Sequence, residues 1–126
     1  METFKIVTLS ISGLLLLSVG ILRLANPLKT YLKNSGITLA DDVNLLNEVR
    51  GVSALMMCVG VLILLGIAYP QVTFTSFTIA TLFFLGFSIG RIFSVIKDGK
   101  PNKLIIQGLF SELILGTLNL YCLFVA

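Results

Sequence analysis

Four ionisable residues fall inside apolar runs of this chain: Glu48 and Arg50 in "NEVRG", Arg91 in "GRIFS" and Glu112 in "SELILG". Two carboxylates could serve acid–base chemistry or carry a proton, and two guanidinium groups could grip an anion or neutralise the acids. Acid–base catalysis lacks its usual company. The sequence has no histidine, which removes the commonest general base and a major metal ligand. No nucleophile–base pair, CxxC, HExxH, phosphate-binding loop or GxGxxG occurs either. Ser94 and Ser111 read as ordinary helix hydroxyls bonded to backbone. Cys58 and Cys122 lie in apolar runs at different depths and read as buried small hydrophobes, not as a disulfide or a metal site. No catalytic residue, metal ligand or cofactor is assigned, and the chain is expected not to be an enzyme.

The elements that must position these charges are long. The 126 residues are 56% hydrophobic and 12% charged, about half the charged share of a soluble domain, and the mean hydropathy is +1.03. Four apolar segments run from about Phe4 to Leu22, Val43 to Ala68, Val72 to Ile96 and Leu104 to Phe124. A hydrocarbon core of about 30 Å takes roughly 20 helical residues, so each is long enough to span. A barrel would need many short alternating strands instead. The expectation is an all-α, four-transmembrane-helix bundle forming one integral membrane domain over residues 1–126. At the end of the first segment "RLAN" lacks a small-x-small cleavage pattern, so that segment is expected to remain as a helix of the mature protein.

The connections differ in kind. "YPQ" between the second and third segments makes those spans antiparallel neighbours, and "KDGKPNK" makes the third and fourth a second hairpin. The first connection, about Leu24 to Asp42, is longer. Asn26-Pro27 reads as an N-cap and first helical position, with Leu28, Tyr31 and Leu32 at helical spacing beside Lys29 and Lys33. A short amphipathic interfacial helix is expected there, ended by "NSG", with Asp41 or Asp42 capping the next span. Arg23, Lys29, Lys33, Lys97, Lys100 and Lys103 all fall on one side, whereas the opposite side carries only Lys5. By the positive-inside rule that basic side faces the cytoplasm and both termini face away. The net charge of +3 is thus an orientation signal and not a nucleic-acid footprint.

Topology brings the four buried charges to one level. From the basic side, Glu48 and Arg50 lie about 9 and 12 Å in, Arg91 about 9 Å and Glu112 about 13 Å, at 1.5 Å per residue. Two acids and two bases sum to zero. Leaving one in lipid costs about 2.5–3.5 kcal/mol on insertion scales, so pairing inside the bundle is favoured. At 100° per residue Asn47, Gly51, Ala54 and Cys58 form a small or polar stripe flanked by Glu48 and Arg50. Phe87, Gly90, Arg91, Ser94 and Asp98 share a face of the third span, and Gly108, Glu112, Gly116 and Asn119 align on the fourth. Gly51, Gly86, Gly90, Gly108 and Gly116 are the expected close-packing positions. The expected pairs are Glu112 with Arg91 or Arg50, and Glu48 with the remaining arginine.

At "NEVRG", "GRIFSVIKDGKP" and "SELILG" the chain resembles a family of small four-helix bacterial membrane proteins of unknown function, domain-of-unknown-function family 4345, distantly DoxX-like. The resemblance implies a four-helix bundle and marks Glu48, Arg50, Gly51, Gly90, Arg91, Asp98, Gly99, Pro101 and Glu112 as matching positions. It implies no reaction. Some DoxX-like relatives act as partners or assembly factors of other membrane proteins.

Three roles follow for an integral protein of the bacterial cytoplasmic membrane. The charge layer could fix helix register in an accessory, assembly or structural component. Arg50, Arg91, Glu48 and Glu112, with Asn47, Ser94 and Asn119, could instead clamp an anionic or lipid-like molecule. Glu112 could also carry a proton in coupled transport, although no broken helix or inverted repeat is visible. The expected partners are membrane lipids, and another membrane protein or a second copy of the chain; nucleic acid is not among them.

Overall fold

The computed structural model describes residues 1–125 and contains five helices: α1 (Thr3–Ala25), α2 (Pro27–Ser35), α3 (Val43–Ala68), α4 (Pro70–Asp98) and α5 (Lys103–Phe124). All but α2 are long and apolar enough to cross a membrane. A helix satisfies its own backbone, which is what hydrocarbon demands of a spanning segment. The ends are closed by the side chains the sequence supplies. Asp42 accepts from the Leu45 N–H at 3.0 Å, and Asn102 accepts from the Ile105 N–H at 3.0 Å. Asn26 caps α2 ahead of Pro27, and Gly36 ends it in the left-handed region at φ 66°, where a Cβ would be strained.

The short amphipathic helix α2 lies between the first two spans and rests on the ends of α1, α3 and α5. Thr30 donates to the carbonyls of Leu22 and Asn26, tying α2 to the end of α1. From the other direction Asn102 donates to the Ser35 carbonyl at 2.8 Å, pinning the α4–α5 turn to the end of α2. One end of the bundle is therefore roofed.

The bundle is packed unevenly, with α1 on α3 as the most intimate pair. Lipid tails are as apolar as Leu, so helices associate through close van der Waals fit, which small residues permit. On α1 Gly13 lies against Gly60 and Leu64 of α3, and Gly20 against Ser53 and Met57. A Cβ on Gly20 would lie 2.6 Å from the Met57 backbone nitrogen, and one on Gly60 2.6 Å from that of Leu17. Leu9, Leu16, Met56, Ile63, Phe77 and Phe84 fill the centre, joined by Leu115 and Cys122 of α5. Buried serines bond to carbonyls: Ser53 to Val49 and Ser88 to Phe84 within their helices, and Ser76 across to Leu62 of α3 at 2.8 Å. The outer surface carries Leu14, Leu55, Leu82, Phe93 and Ile114. Large apolar side chains on the outer surface, with the buried serines bonded to carbonyls, are the arrangement expected of a bundle bathed in lipid.

Gly60→Ala is expected to overpack the α1–α3 seam and cost about 1–3 kcal/mol. Gly86→Ala, where a Cβ meets nothing within 4 Å, is expected to stay within about 0.5 kcal/mol of wild type. Thermal melting in detergent distinguishes them; equal shifts for both would contradict this packing.

Candidate functional site

Arg91 and Glu112 meet. The Arg91 Nε donates to Glu112 Oε1 at 2.6 Å, with side chains 27% and 16% exposed, and this is the one ion pair among the described residues. Arg91 continues the buried stripe Phe77, Ala80, Phe84, Ser88 of α4, and Glu112 continues Gly116 and Asn119 of α5. Because α4 and α5 form a tight hairpin, residues at like distances from the turn come to one depth. Arg91 precedes the end of α4 by about 10 Å of rise and Glu112 follows the start of α5 by about 13 Å. Phe83 and Phe87 stack at 4.7 Å one turn apart, and the Arg91 guanidinium carbon lies 5.9 Å from the Phe87 ring centre, within cation–π range.

The expected four-charge layer does not form. Glu48 and Asn47 are exposed on α3, and no ion pair reaches Glu48. Arg50 is also exposed and donates to the Leu24 carbonyl, one of the last carbonyls of α1, which lack intrahelical donors and form the negative end of that helix. Two physical reasons account for the difference. The buried stripe of α3 is Ser53, Met56, Gly60, Ile63 and Gly66, two residues and so about 200° from the expected Asn47–Gly51–Ala54–Cys58 stripe. In addition α3 and α5 stand across the bundle without close approach, so Glu112 is out of Arg50's reach.

The other expected residues also divide. Asn119 is fully buried, but it donates to Ser12 Oγ at 2.9 Å and to the Leu115 carbonyl, in the centre of the bundle away from the ion pair. Ser94 is exposed and donates to Asp98 at 3.1 Å. Of the expected packing glycines only Gly116 is tight, against Leu85; Gly51, Gly86, Gly90 and Gly108 have open space where a Cβ would stand. The glycines that do pack, Gly13, Gly20, Gly60 and Gly66, were not singled out by sequence. Both cysteines are free; Cys122 is buried as expected, while Cys58 lies on the exposed side of α3.

Two adjoining cavities open beside the ion pair, of about 440 Å³ and, more open to the outside, about 670 Å³. Arg23, Ser35, Phe83, Phe87, Arg91 and Ile105 line both. The smaller has polar groups from Arg91, Gln107, Ser111 and Glu112, and an apolar wall of Leu15, Leu16, Val19 and Phe84. Gly108 lines it too, and Gly86 and Gly90 line the larger one. These glycines make room instead of contact. Arg23, which sequence reasoning treated only as an orientation charge, stands in both walls. Its signal was its position, the last cation of an apolar span directly before an amphipathic helix.

A family model described as a domain of unknown function, DUF4345, matches residues 4–123. No curated protein and no solved structure is matched by the chain.

Arg91→Leu is expected to strand Glu112 and destabilise the protein by about 3 kcal/mol. The double change Arg91→Leu with Glu112→Leu is expected to cost less than that single one. Melting in detergent measures both; a double change as harmful as the two singles summed would refute a pairwise interaction.

Proposed function

Starting from a chain that belongs to the DUF4345 family, a domain of unknown function, we propose that it is a non-enzymatic membrane component that holds a lipid-like amphiphile between its helices. One observation carries this reading: the cavity beside Arg91–Glu112 has all its polar groups in the part nearer α2, beside Leu104 and Ile105, and is apolar further in. Arg23, Val19 and Leu15 succeed one another at one-turn spacing on α1 along its wall, a run of about 12 Å at 1.5 Å per residue. A head could lie among the polar groups and a tail against Leu15, Leu16 and Phe84. Pockets of roughly 300–1,000 Å³ with a few polar groups on an apolar wall suit small ligands.

The same reading puts the α2 end at the cytoplasmic face of a bacterial cytoplasmic membrane. Its support is the basic residues there: Lys29 and Lys33 on α2 with Lys97, Lys100 and Lys103 around the α4–α5 turn. A head at the cytoplasmic headgroup level and a tail toward the bilayer centre is the direction a leaflet lipid already has.

Gly108→Leu fills the cavity from a position where a Cβ meets nothing within 4 Å. Native mass spectrometry of gently purified protein is expected to find an amphiphile on wild type and at least about tenfold less on this variant at unchanged melting temperature. Wild-type protein always free of adducts would defeat the proposal. For the orientation, a C-terminal alkaline phosphatase fusion is expected to be active and a fluorescent-protein fusion dark; the opposite pattern would reverse it.

A further inference from the structure

The charges around the cavity do not balance. Arg91 is neutralised by Glu112 at 2.6 Å, and no second ion pair exists among the described residues. That leaves Arg23. One of its terminal nitrogens lies 4.0 Å from Met56 Sδ, the other donates to Ser35 Oγ at 3.4 Å, and its central carbon is 4.3 Å from the Tyr31 ring centre. The Nε is buried and has no hydrogen-bond partner. A guanidinium carries five N–H donors, and a thioether, a ring face and one long hydroxyl contact leave most of that capacity unused. Two guanidinium groups and one carboxylate leave a single uncompensated positive charge in the wall.

A long, flexible arginine so close to the end of its helix could extend toward the headgroups and water. This one is held under Tyr31 and Ser35 of α2, inside the wall of both cavities. Ser35 Oγ accepts from Arg23, so its own hydroxyl proton is free to point at the same place. Arg23 is two residues from the end of α1, about 3 Å of rise. The unsatisfied donors are thus at headgroup level, and the apolar wall runs inward from them.

Resting on the amphiphile reading above, we propose that Arg23, assisted by the Ser35 hydroxyl, is the receptor for one negative charge on the ligand's head, a carboxylate or phosphodiester oxyanion. Arg91 is not that receptor, because its charge is already matched. The site therefore selects a monoanionic amphiphile over a zwitterionic one with the same tails. Lys29 and Lys33 on the exposed side of α2 add a positive field at the entrance without entering the site.

Delipidated protein titrated with phosphatidylglycerol, phosphatidylcholine of identical chains, oleate and inorganic phosphate, read by native mass spectrometry, tests this. Wild type is expected to prefer phosphatidylglycerol and oleate over phosphatidylcholine by about tenfold. Arg23→Gln is expected to bring the three within about twofold, chiefly by weakening the anions, and Arg23→Lys to keep most of the preference. Excess inorganic phosphate is expected not to displace phosphatidylglycerol. The comparison of lipids on wild type stands even if Arg23→Gln fails to fold. Equal binding of phosphatidylglycerol and phosphatidylcholine, an undiminished preference in Arg23→Gln, or displacement by inorganic phosphate would overturn the assignment and leave amphiphile binding intact. Binding of none of the three amphiphiles would overturn the parent reading with it.

Discussion

In hydrocarbon two helices gain nothing by hiding apolar surface from each other, so the bundle depends on how closely backbones approach and on where polar groups find partners. The α1–α3 seam meets the first condition. Gly13, Gly20 and Gly60 bring the two backbones so near that a single Cβ at Gly20 or Gly60 would collide with the facing main chain. Interior serines meet the second by returning their hydroxyls to carbonyls, as Ser53 and Ser88 do within a turn. Neither device leaves a group free for chemistry, and this half of the molecule reads as scaffold.

The other half is joined differently, and the difference makes the cavity. Helices α4 and α5 are tied by a short turn and the Arg91–Glu112 pair, with Gly116 tight against Leu85 further along. Between this hairpin and α1, at the α2 end, the glycines on α4 and α5 face space instead of neighbours. A seam packed by glycine closes completely. Here α1 approaches α4 and α5 only sparsely, and Phe83, Phe87 and Arg91, stacked along one face of α4, line the gap that remains. The roof of α2, pinned by Thr30 on one side and Asn102 on the other, then covers the gap at the end where the cations lie.

Element boundaries were legible because their signals are local. Asp42, Asn26-Pro27 and Gly36 each announce an end through a backbone requirement that only a few residues meet. The face of α5 was also legible, since Glu112, Gly116 and Asn119 align and each is polar or small for a reason internal to the bundle. On α3 the same logic failed by half a turn. The chain has 11 glycines, and whether one packs or stands open depends on which helix faces it. Gly51 and Gly60 look alike in sequence, yet only Gly60 meets Leu17. The polar stripe through Asn47 and Gly51 misled because Arg50 and Glu48 lie near the end of a span, where a long side chain need not turn inward. Arg50 instead satisfies the end of α1 through the Leu24 carbonyl.

Arg23 shows the converse error. A cation at the end of a span is ordinarily an orientation signal, and standing last in an apolar span before an amphipathic helix does not by itself turn it inward. What distinguishes it is a second helix laid across it. Tyr31 covers the guanidinium and Ser35 takes one donor, converting a charge that would face headgroups into one that faces a cavity. Three weak contacts and the field of Glu112, whose hydrogen bond goes to Arg91, are all that offset the cost of holding a cation there. An interior that had evolved only to fix helix register would gain by giving Arg23 an acid of its own or replacing it with an apolar residue of similar size. That unmatched charge is the ground on which an anionic head was proposed for Arg23, as the half of the interaction that would arrive from the membrane.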